Sequence, residues 1–173
     1  KYKELREFMN NKISIGENAL FRVYEIDYFS GNELFNTNIN GFICYCRRGK
    51  IEMLINLNPV IVSSDSQLIL LPHSIVKIQT ISKDISLDVL EIKESLFRDV
   101  NAHISPLFFR ILRINPCIKL TPESKKSASS FMLLANGIYK DTDNLYRQQI
   151  IRSALNAYML YIYDRYQRFY YTE

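Results

Sequence analysis

Hydrophobic and polar positions alternate over short stretches through the first ~115 residues, and from about residue 120 they recur with helical spacing. ALFRVYEIDYF (19–29) places Phe21, Val23 and Glu25 on one parity and Arg22, Tyr24, Ile26 and Tyr28 on the other, as in a half-buried strand. Ser30-Gly31-Asn32 predicts a turn, and residues 1–12 a short helix or a polar lead-in. GFICYC (41–46) and IEMLINL (51–57), joined by Arg47-Arg48-Gly49-Lys50, predict a hairpin. Asn58-Pro59 starts a second turn. PVIVSS, QLILLP (67–72), IVKIQTI (75–81) and ISLDVLEI (85–92) continue the series, with polar corners at Ser63–Ser66 and Ser82–Asp84. Seven or eight strands with turn signals every ~8–12 residues specify an all-β sandwich or barrel.

Residues 95–116 mix Phe97, Phe108, Phe109, Ile111, Leu112 and Ile114 into a pattern that predicts short helical turns lying on the barrel, and 117–120 a brief extended piece. Thr121 then offers an N-cap, Pro122 suits the first helical position, and Glu123 favours the positive helix start. The corner Asp141–Asn144 ends this helix and caps a second, over roughly 144–170. On that second helix, at ~100° per residue, Ile150, Ala154, Ala157 and Tyr161 share one sector. Ile151, Leu155, Tyr158, Ile162, Tyr166 and Phe169 fill the next. The apolar arc covers about half the circumference, wider than one core requires. Either one sector meets a second chain, or the barrel buries both.

Composition narrows the function classes. A hydrophobic fraction of 47% suits a folded protein, and 22 Lys+Arg against 18 Asp+Glu gives a net charge of +4, interleaved rather than striped. Direct nucleic-acid binding by this segment is therefore not expected. Three cysteines (Cys44, Cys46, Cys117) in a chain of 173 residues fit a reducing cytosol. With neither a long apolar run nor a signal-peptide layout, the expected location is cytoplasmic, without membrane contact. Beginning at Lys1 and ending in YYTE, the sequence is expected to be a piece of something longer.

Candidate chemistry is sparse. His73 and His103 are the two histidines, too few for a metal site or a Ser/His/Asp arrangement, so neither metal, cofactor nor catalysis is expected. Cys44-x-Cys46 reads as two small core residues on one strand face. Glu91 and Glu94 read as ordinary solvated carboxylates at a strand end. Gly16-Glu17-Asn18-Ala19-Leu20 resembles the start of a cyclic-nucleotide phosphate cassette but precedes the main strands, where that cassette does not belong. Tyr24, Tyr45 and His73 are the candidate ligand contacts, each a hydrogen-bonding tip on an apolar surface. Ile150, Ala154, Ala157, Tyr158 and Tyr161 are the candidate dimer interface.

GFICYCRRGKIEMLINLNPVIVSSDSQLILLPHSIVKI resembles the N-terminal sensor domain of AraC-type bacterial transcription regulators, with Gly49 as the turn glycine and Pro72-His73 closing a strand. INPCIKLTPESKKSASSFMLLANGIY is similar to that family's junction into its first linker helix. The resemblance implies a mainly β fold with C-terminal helices: a cupin-like jelly-roll barrel over 1–120, then an antiparallel helical pair over 121–173. It further implies a homodimer, a small-molecule effector, and DNA contact only through a C-terminal helix-turn-helix domain outside this sequence. Other classes stay open on the residues alone. They are a small cupin enzyme with bound metal, a cyclic-nucleotide-type sensor, and an empty barrel serving as a dimerisation scaffold.

Overall fold

The computed structural model describes residues 19–26, 34–36 and 39–171, so the segments 1–12 and Ser30–Asn32 lie outside what is described. In chain order the elements are β1 (Phe21–Ile26), β2 (Leu34–Asn36), β3 (Gly41–Arg48), β4 (Lys50–Ile55), β5 (Asn58–Ser63), β6 (Ser66–Leu70), β7 (Ile75–Ile81) and β8 (Ser86–Ile92). There follow α1 (Glu94–Val100), α2 (Pro106–Ile114), β9 (Cys117–Lys119), α3 (Pro122–Lys140) and α4 (Arg147–Tyr171). The strands form two antiparallel sheets, ordered β1-β8-β3-β6-β9 and β2-β7-β4-β5. They face each other as an open sandwich, not a closed barrel.

The expected hairpin between residues 41–46 and 51–57 does not form. β3 and β4 belong to different sheets, and the chain crosses between them at Gly49. The register shifts between Cys46 and Arg48, Gly49 has φ +81°, and Ser82 Oγ accepts from Lys50 N–H at 2.8 Å. A Cβ at Gly49 would lie 2.7 Å from Ile85 Cα, so conformation and space both require glycine. The hairpin that does form joins β4 to β5. Its turn is Asn56-Leu57, both at positive φ (49° and 70°), and Asn58-Pro59 begins β5 instead of turning. Asn56 is held by Ile75, whose N–H donates to its Oδ1 at 2.9 Å. Leu57, 85% exposed, has no such compensation.

Two cores result. Between the sheets lie Cys44, Cys46, Ile51, Met53, Val62, Leu68, Val76, Ile78, Leu87 and Val89. On the opposite face of the five-stranded sheet, Ile43, Tyr45, Ile69, Leu90 and Ile92 pack against Phe108, Phe131, Ala135, Leu155, Tyr158 and Ile162 of the helices. The helices thus share a core with the sheet. α1 and α2 are the short helical pieces expected over 95–116. α1 lies so close to β3 that a Cβ on Gly41 would come within 2.4 Å of the Phe97 ring.

α3 starts as the sequence predicts: Thr121 Oγ1 accepts from Ser124 N–H at 3.2 Å, with Pro122 at the first position. α3 and α4 run antiparallel, with Phe131 stacked on Tyr158 and Arg165 3.8 Å from Glu123. At the other end of the pair, Arg147 donates from Nε to Ile138 O at 2.9 Å and also bonds Tyr139 O. Its guanidinium lies 5.3 Å from the ring centroids of both Phe21 and Tyr139, closing the α3 C-terminus and tying it to β1. Among the described residues no helix is long and apolar enough to cross a membrane.

The turn at Leu57 generates a prediction. A leucine at φ +70° is strained by about 1 kcal/mol, where glycine is not. Leu57→Gly should therefore raise stability by about 0.5 kcal/mol or more, after the extra unfolded-state entropy of glycine, read as a higher urea midpoint at unchanged slope.

Candidate functional site

Strand parity fixes where each candidate residue sits. On β1 the positions Arg22, Tyr24 and Ile26 face the space between the sheets, while Phe21 and Val23 face the helices. Glu91 on β8 stands directly opposite Arg22, on the parity of Leu87 and Val89. It is not the solvated carboxylate expected from sequence: it is 7% exposed, because the alternation of ISLDVLEI turns it inward. Arg22 donates to Glu91 Oε2 from Nε (3.1 Å) and Nη2 (2.6 Å), and Asn40 Nδ2 donates to Oε1 at 2.8 Å. The guanidinium also lies 5.0 Å from the Tyr24 ring centroid. Burial, reinforced by the Glu91 charge, holds the Tyr24 phenol well above its ordinary pKa. A polar island of four groups thus sits inside an otherwise apolar sandwich.

Tyr45 and His73 lie elsewhere. Tyr45 faces the helices from β3, its phenol raised first by burial and then by Asp65. His73 lies outside the sandwich in the turn after β6, exposed, at φ +66°, with Nε2 3.2 Å from Glu94 Oε1. The three candidate ligand residues therefore occupy three different surroundings. Of the island's other members, Arg22 and Asn40 are not candidates from sequence, and Glu91 is one that the sequence reads as solvated. The available signal was a charged residue on the inward parity of each of two strands.

All three thiols approach the sandwich core. In register Cys44 lies opposite Leu68, and Leu68 opposite Cys117, about 9.5 Å across two strand spacings and beyond disulfide reach. Burial pushes Cys46 and Cys117 up to about 11, and Cys44 further still, so the thiols stay protonated and unreactive at neutral pH. Among the described residues no group of three or more His, Cys, Asp or Glu could hold a metal ion.

Of the five candidate interface residues, Tyr158 is used within the chain. Its ring stacks on Phe131 at 3.9 Å and its oxygen accepts from the buried Gln67 Nε2 at 2.6 Å. Its sector of α4, with Ile151, Leu155 and Ile162, is the one that faces the sheet. Ile150 and Ala157 are exposed, Ala154 and Tyr161 half-buried at the core's edge. These four recur at i, i+4, i+7 and i+11, an apolar seam along the outer side of α4, with Leu160 and, on α3, Leu134 also exposed. A small surface depression at the end of β6 is lined by Ile55, Asn56, Leu70, Leu71, Ser74 and Arg113 among others.

The architecture, two antiparallel sheets facing each other and backed by helices, is shared by solved structures. No family model matches the sequence, nor does any curated protein sequence. Apo ToxT K231A from Vibrio cholerae strain SCE256 superposes with TM-score 0.54 at 13% identity, over 90% of this chain and 60% of the ToxT chain. The chain thus spans about 60% of the length of the ToxT it matches, and at that identity the likeness is one of fold. A second V. cholerae ToxT structure (TM-score 0.44, 14% identity, 88% and 59% covered) lies below one half. So does the Schizosaccharomyces pombe Cnp3 cupin domain (0.40, 18%, 53% and 69%), and neither adds to that comparison.

Two predictions come from the interior. Glu91→Ala leaves the Arg22 charge buried and should cost about 3 kcal/mol in urea unfolding, whereas replacing both residues by apolar ones of similar size should be nearly neutral. The thiols set the alkaline limb. Their folded pKa values lie above the unfolded ~8.5, so their contribution is complete below that pH. It is lost as pH rises towards about 11. The unfolding midpoint should fall between pH 8.5 and 10, and less so in a Cys46→Ala, Cys117→Ala variant.

Proposed function

We propose that this chain is the regulatory portion of an AraC-type transcription regulator, sensing an effector and dimerising so as to control DNA binding by a C-terminal helix-turn-helix domain. The observation that carries the reading is the extent of the fold likeness. The superposition on ToxT, an AraC-family regulator, runs through 90% of this chain, sandwich and helices together, and not through the sandwich alone. A two-fold dimer would space two DNA-binding heads, and operator half-site spacing would follow from it. An effector would act only through its differential affinity for two head arrangements.

The α4 seam is the proposed dimer contact, through Ile150, Ala154, Ala157 and Tyr161, with Tyr158 supporting it from beneath. Small residues at Ala154 and Ala157 allow two helices to approach closely, and aromatic residues are common at interface centres. The Arg22–Glu91–Asn40–Tyr24 island is the proposed effector contact within the sandwich, because its hydrogen-bonding groups are the ones a polar ligand entering between the sheets would meet. Tyr45, on the helix-facing side of the sheet, and His73, outside the sandwich, take no part in this contact.

Ala157 is exposed, so a charge there leaves the chain's own core intact. Ala157→Asp is expected to convert a dimer into a monomer in sedimentation velocity while leaving the circular dichroism spectrum unchanged. A variant that sediments like the parent at every concentration removes α4 as the contact.

A further inference from the structure

We draw no further inference here: the strongest candidate, the outer face of α2, where the exposed Leu107 and Ile114 lie beside Arg110 and Arg113, is a mixed apolar and basic surface of one short helix, and nothing in the structure shows what covers it.

Discussion

The five-stranded sheet is buried on both faces, and the rest of the structure depends on that constraint. An antiparallel sheet commonly packs one face and wets the other. Here β3, β6 and β8 have the second sheet on one side and the helices on the other. Their sequences lose the alternation of a half-buried strand, and GFICYC and QLILL run almost without polar relief. It also explains why the helices are integral to the fold: without α3 and α4, residues such as Ile43, Ile69 and Leu90 would face water, each costing on the order of 2 kcal/mol.

Polar groups caught in such a sheet must find partners within it. Gln67 and Glu91, both buried, do so in opposite directions: Gln67 reaches outward to Tyr158 on α4, Glu91 inward to Arg22 and Asn40. Each pair offsets a desolvation cost instead of adding much net stability, so each matters mainly by what it fixes. The Gln67–Tyr158 bond ties α4 to β6 at a buried point, where losing it would leave the amide without its partner. Since Leu68 beside it packs between the sheets, one strand touches both the sandwich interior and the long helix.

The sequence disclosed what local chemistry determines and concealed what depends on which surfaces meet. The α3 start was readable because Thr121-Pro122-Glu123 is a self-contained capping signal, and the centre of β7 because Val76-Lys77-Ile78-Gln79 alternates apolar and polar positions. The link from β3 to β4 was misread because a glycine at positive φ serves a hairpin turn and a sheet-to-sheet crossing equally well. Only the bulge at Cys46/Arg48 and the crowding by Ile85 distinguish the two, and both are tertiary. Glu91 was misread for the same reason, as the partner that makes an inward carboxylate tolerable lies 69 residues away. Tyr24 was a legible ligand candidate. Its neighbours in the polar island become apparent only once β1 and β8 are paired.

The broad apolar arc of α4 can now be divided. Ile151, Leu155, Tyr158, Ile162 and Tyr166 are needed to cover the sheet and α2, and the aromatic contacts of Phe108 with Tyr163 and Tyr166 show that even the tyrosine-rich end is largely engaged. What remains is a narrower seam of Ile150, Ala154, Ala157 and Tyr161, with two of its four positions held by alanine. On this seam size does not follow burial: the small Ala157 and the large Ile150 face solvent, while the small Ala154 and the large Tyr161 lie at the core's edge, Tyr161 stacked on Tyr158. The part of the arc left over by the chain's own packing is therefore narrow, centred on Ile150 and Ala157.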